Sequence, residues 1–170
     1  MRVGVAMLAT SCLSVAPKGR IEPHERVAIE LRGADALELG LPASAPDARV
    51  LEERFAVALK HELVRRRSIA PDRNRADALL AVRLIRVALE ASPENVAALR
   101  ISAGARIESA GADAGKARTA WRASEWQSPA RPRADWSDAG GTTLDTALAT
   151  GLQAIAEDLV GGAIRAKEKQ

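Results

Sequence analysis

At 170 residues the chain is long enough for one continuous hydrophobic core and short for two, so a single globular fold is expected. Its 47% hydrophobic content rests on Ala, Leu, Val and Ile, with one Phe, three Trp and no Tyr, which excludes a core built on aromatic packing. The 25 basic and 22 acidic residues leave a formal charge of only +3; nucleic-acid binding needs cations clustered on one face rather than a small surplus, so no nucleic-acid partner is expected.

The N-terminus reads Met1-Arg2, then an apolar run from Val3 to Ala9, then Thr10-Ser11-Cys12 and a polar stretch from Ser14 to Arg20. A positive start, an apolar run and small residues ahead of a cut site are the parts of a secretory signal. With Ala9, Thr10 and Ser11 before Cys12, the segment resembles the lipobox of bacterial lipoproteins. That resemblance implies removal of residues 1–11, a diacylglyceryl group on the Cys12 thiol and acylation of the new N-terminus. In the same resemblance Leu13, standing where Asp would retain a lipoprotein at the inner membrane, favours the periplasmic face of the outer membrane. Cys12 is the sole cysteine, and lipid attachment accounts for an unpaired thiol in an exported protein. Read without the resemblance, the same residues fit an unstructured N-terminus, or a strand over Val3 to Leu8 followed by a free thiol. No later segment reaches the run of about 18–20 apolar residues that a membrane span requires, so the body is expected to be soluble.

Residues 12–25, with Pro17, Gly19 and Pro23, read as a flexible tether, and a single domain is expected over 26–167. Val27, Ile29 and Leu31 alternate with small or charged residues, the period of a half-buried strand. Leu37, Leu39 and Leu41 fit a second short strand or a packed loop. Ser44 with Asp47 three places on fits a capping box. From there to Arg67, Leu51, Phe55, Leu59 and Leu63 recur every fourth residue, the stripe of an amphipathic helix. The segment from Ala78 to Leu89 is apolar except at Arg83 and Arg86, which predicts a central strand covered on both faces.

After a turn at Ser92-Pro93-Glu94-Asn95, a strand is predicted from Ala97 to Glu108, because apolar and polar residues alternate along it. Gly111 to Gly115 predicts a hairpin loop, and residues 116–126 a returning strand with Trp121 on one face and Arg118, Arg122 and Trp126 on the other. A loop from Ser128 to Gly141 holds Trp136. Thr142 with Asp145 suggests another capping box opening a helix to about Ile164, striped by Leu144, Leu148, Leu152, Ile155 and Leu159. These elements predict an α+β two-layer sandwich: a mainly antiparallel sheet of about four strands with two amphipathic helices on one face. Together with the lipobox-like start, the order is similar to that of small outer-membrane assembly lipoproteins, such as the lipopolysaccharide-assembly and curli-type secretion lipoproteins.

Little in the sequence points to catalysis, a cofactor or a metal, and none of the three is expected. With two histidines, one cysteine and no tyrosine, the usual nucleophile-and-base sets are hard to assemble. His61-Glu62 opens like a zinc-protease motif, but Arg65 stands where the second histidine belongs. Gly111 to Lys116 lacks the first glycine and the magnesium-binding hydroxyl of a phosphate loop, having Ala110 and Ala117 there.

Two surface sets remain as candidate sites. Arg65, Arg66 and Arg67, with Arg73 and Arg75, would contact an anion, or would complement a helix C-terminus and stay solvated. Trp126, Arg131, Arg133 and Trp136 belong to the residue types most enriched at binding hot spots and predict a partner-binding loop, or else the tryptophans cap the core edge. The expected function is that of a non-catalytic envelope lipoprotein. It would be an assembly, transport or structural accessory subunit, lipid-anchored in the membrane, with a protein partner and without a small-molecule ligand. The competing expectation is a soluble periplasmic binding module for an anionic ligand.

Overall fold

The computed structural model describes residues 19–33, 37–137 and 141–164. Cys12 and the lipobox-like segment lie outside the described residues. The elements run β1 (Val27–Leu31), β2 (Glu38–Gly40), α1 (Ala48–Arg65), β3 (Ala78–Ala91), β4 (Val96–Ser109), β5 (Arg122–Gln127), β6 (Arg131–Pro132), α2 (Arg133–Trp136) and α3 (Thr142–Ala163).

β3 and β4 are the spine of the sheet, two 14-residue strands paired antiparallel, with a register shift between Leu84 and Arg86. Their turn places Asn95 at φ 55°, a left-handed conformation that Asn tolerates better than most side chains. β5 and β6 pair with the far edge of β4, both antiparallel. β1 and β2 pair parallel with successive stretches of β3, Val27 opposite Ala78 and Glu38 opposite Arg86.

Among the described residues the sheet is therefore mixed and six-stranded, where a mainly antiparallel sheet of about four strands was expected. The reason lies in the connection: the chain leaves β2, crosses the sheet face as α1 and re-enters as β3, and a helical crossover brings the next strand in parallel. Two helices on one face, in an α+β arrangement, are as the periodicity predicts.

α1 and α3 lie side by side and run in the same direction, since Arg54 pairs with Asp145, Gln153 with Glu62 and Arg65 with Glu157. Their stripes, Leu51, Phe55, Leu59 and Leu63 from α1 and Leu144, Leu148, Leu152, Ile155 and Leu159 from α3, close on Leu80, Val82, Leu84, Leu99 and Ile101 of the sheet. Burying one such side chain contributes about 1.5–3 kcal/mol, so this interlayer is the main driving force. The close approach of α3 depends on Gly151, where an added methyl would meet the Trp126 ring and lie 2.7 Å from Ile101 Cδ1.

The helix starts differ from expectation. Asp47, not Ser44, caps α1, its Oδ1 accepting from the Val50 N–H at 2.9 Å. The capping box at Thr142 and Asp145 does not form: Gly141 occupies the cap position without a side-chain hydrogen bond, and Asp145 is drawn to Arg54 instead. α1 ends with Arg67 at φ 56°, the Ser68 N–H reaching Leu63 O at 3.0 Å and the Arg67 N–H reaching Val64 O at 2.9 Å. This is a Schellman closure with arginine where glycine is favoured.

The returning strand is shorter than the expected 116–126. Residues 117–121 do not continue the regular ladder with β4 but stay tied to it by the Glu108 and Ala117 bridge, by the Arg118 N–H donating to Ile107 O at 2.7 Å, and by Thr119, whose Oγ1 accepts from the Ile107 N–H at 3.0 Å. Trp121 instead lies over the helix-free face, with the guanidinium carbons of Arg83 and Arg106 at 4.5 and 5.0 Å from its ring centre. Arg122 and Trp126 face α3, on the side opposite Trp121 as predicted, while Arg118 reaches Glu25 and the Arg20 carbonyl oxygen. The packed domain begins inside the expected tether. Ile21 is fully buried, its N–H donating to Ala163 O at 2.9 Å, and Glu25 binds Arg118.

Candidate partner-binding cleft

The stretch after β5 turns under the sheet edge because Ser128 fastens it. Its hydroxyl accepts from the Leu99 N–H at 2.9 Å and donates to Pro129 O at 3.0 Å. β6 then docks Arg131 opposite Ala97, and the single turn of α2 delivers Trp136 to the end of the core. Trp136 is 4% exposed, and its indole N–H donates to Ala97 O at 3.0 Å. It seals the end of the apolar interlayer. Trp126, half-buried, packs its ring edge on α3 at Gly151.

Between these tryptophans and the first turns of α3 opens a cleft of about 410 Å³. Trp126, Ser128, Pro129, Arg131 and Trp136 form one wall, and Thr142, Thr143, Thr146, Ala147 and Thr150 form the other. Of the four residues singled out in the sequence, three therefore converge. Arg133 does not: its side chain lies beyond Trp136, in a separate cavity of about 340 Å³ with Gly40, Pro42 and Leu89. As site residues the threonines escaped the sequence reading, in which Thr142 figured only as a helix cap, although Thr142, Thr146 and Thr150 stand four residues apart, a spacing that aligns them along one face of a helix.

The five arginines of the basic set do not form one open patch. Arg65 binds the buried Glu62 at 2.7 Å and Glu157 at 3.2 Å, and these hydrogen bonds raise its pKa above the usual guanidinium value. Arg66 stands 4.0 Å from Glu62, and Arg67 closes α1 through its backbone while its side chain stays exposed. Arg73 reaches Glu30 at 3.3 Å across to β1, and Arg75 turns back on Asp72 at 3.6 Å.

The buried carboxylates are likewise engaged. Glu62 also accepts from Gln153 Nε2 at 2.8 Å, tying α1 to α3. Glu108, fully buried on the helix-free face of the sheet, accepts from Arg32 Nη2 at 2.8 Å and Arg106 Nε at 2.7 Å. Burial opposes ionisation of Glu25, but hydrogen bonds from Arg118 and the Glu22 N–H outweigh it and leave the carboxyl pKa lowered. Among the described residues no group of three His, Cys, Asp or Glu side chains is placed to hold a metal ion, and no helix is long and apolar enough to cross a membrane.

No family model matches the chain, and no curated protein matches it in sequence. Solved structures resemble it. Protein XCC0632 from Xanthomonas campestris, which carries the DUF330 family model, is 14% identical with a TM-score of 0.50 over 85% of each chain. A minor lipoprotein from Acinetobacter baumannii is 16% identical with a TM-score of 0.42, over 75% of this chain and 88% of its own. The likeness to the Xanthomonas protein is one of fold, an α+β domain with helices on one face of a sheet, and does not extend to a shared activity.

Proposed function

We propose that this chain is a non-catalytic lipoprotein of the bacterial envelope. It is anchored in the outer membrane through acyl groups on Cys12 and acts as an accessory subunit of a membrane-associated complex. One observation supports this reading above the others: the chain joins the domain at the end of the fold opposite the cleft. Ile21 bridges to Ile164 just past the C-terminus of α3, whereas the cleft sits at its N-terminus. A helix of 22 residues is about 33 Å long at about 1.5 Å per residue. An anchor at Cys12 would thus join the chain to the end of the domain away from Trp126 and Arg131. A non-catalytic role agrees with the state of the buried carboxylates, since Glu62 and Glu108 are held in ion pairs.

The test is the intact mass of the protein recovered from the detergent phase of a membrane fraction, beside a Cys12→Ser variant. The expected result is a chain starting at Cys12 with added acyl mass, and a variant lacking both the processing and the membrane retention. An unprocessed chain in the soluble fraction would overturn the anchor and leave a binding module for an anionic ligand as the better reading.

A further inference from the structure

We propose that the cleft between β5 and the start of α3 binds a saccharide bearing a carboxylate, such as a hexuronate unit of an acidic glycan. Three independent properties of the cleft converge on that ligand. Trp126 supplies a flat, polarisable, half-buried indole fixed by its contact at Gly151, a surface suited to the C–H face of a pyranose ring. Opposite it, Thr142, Thr146 and Thr150 carry a row of hydroxyls along α3. Each is a donor and a double acceptor, and of these hydroxyls Thr150 Oγ1 is engaged with the Thr146 carbonyl oxygen at 2.9 Å. A row of neutral groups that both give and accept hydrogen bonds matches a ligand rich in hydroxyls better than it matches an apolar peptide side chain.

Charge completes the assignment. The lining contains one cation, Arg131, and no Asp or Glu. Among the described residues no carboxylate pairs with Arg131, whereas Arg32, Arg65, Arg86, Arg100, Arg106 and Arg122 all meet acidic partners. An exposed guanidinium at the rim of a hydroxyl-lined cleft is placed to take a carboxylate by paired hydrogen bonds. The volume of about 410 Å³ falls within the range of small-ligand sites. The inference rests on the envelope reading only for where the glycan would be met; the chemistry of the cleft stands without it.

The test uses the full chain carrying Cys12→Ser, so that acylation plays no part and failure of the anchor is read separately by mass. Titration with digalacturonate, followed by calorimetry and tryptophan fluorescence, is compared with a neutral disaccharide and with acetate. Saturable binding of digalacturonate in the millimolar range is expected, with weaker binding of the neutral sugar and none of acetate. Arg131→Gln, an exposed substitution, should lower affinity for digalacturonate about tenfold, as expected for one lost charge-assisted pair, and leave the neutral sugar unaffected. Thr146→Val should weaken both sugars, and Trp121→Phe, on the other face of the sheet, neither. No saturable binding by the folded protein would overturn the proposal, as would acetate binding as well as digalacturonate, or an Arg131→Gln variant that binds like the parent.

Discussion

Two glycines of α3 should respond in opposite directions to the same substitution. Replacing Gly by Ala in a helix removes backbone entropy from the unfolded chain and gains about 1 kcal/mol where nothing obstructs the methyl. At Gly151 a methyl meets the Trp126 ring and the Ile101 side chain, both held between α3 and the sheet. Overpacking of that kind costs about 1–3 kcal/mol, and with two rigid neighbours on one methyl the upper part of the range applies. Gly151→Ala should therefore destabilise by about 1–2 kcal/mol net. At Gly161 the nearest obstacle is Arg66 Nη2 at 3.1 Å, the far end of a flexible side chain that swings aside, so Gly161→Ala should stabilise by about 0.5–1 kcal/mol. For a chain of this size each kcal/mol moves the melting temperature by about 2–4 °C. Thermal melts followed by circular dichroism should then show the two variants on opposite sides of the parent. A shift in tryptophan emission should accompany Gly151→Ala alone. Equal upward shifts for the two variants would refute the close approach of α3 at Trp126, and with it the wall of the cleft.

Arg67→Gly should raise stability by about 0.5–1 kcal/mol, read from the urea midpoint, because it relieves a left-handed arginine at the close of α1. Glu108→Gln removes the fully buried carboxylate that Arg32 and Arg106 share and should cost about 3 kcal/mol by the same assay; a change under about 1 kcal/mol would mean that the charge is dispensable. The lowered pKa of Glu25 makes its contribution complete above the unfolded-state pKa, and that contribution is lost as pH falls through the lower folded value. Glu25→Gln should accordingly destabilise at neutral pH, and the difference from the parent should vanish in acid; a gap that stays constant across the acid range would contradict the Arg118 pairing.

What the residues announce by themselves is whatever their neighbours a few places away decide. The stripes of α1 and α3, and the alternation along β4, are local periodicities, and they appear in the fold within one or two residues of where the sequence puts them. Helix starts were legible only in part, because Ser44 and Asp47 offer rival caps and tertiary pairing with Arg54 took Asp145 out of competition. The parallel entry of β1 and β2 beside β3, the burial of Ile21 against the end of α3, and the seat of Trp121 between Arg83 and Arg106 all depend on contacts between residues far apart in the chain. The same separation governs the cleft. Trp126, Arg131 and Trp136 are visible as hot-spot residue types, yet only the packing of α3 against β5 at Gly151 brings the threonine row to face them, and only the wedge of Trp136 sends Arg133 to the other side. Hydrophobic period is written in the chain, whereas the pairing of distant elements is selected by close packing of the whole core, and the cleft exists because of that pairing.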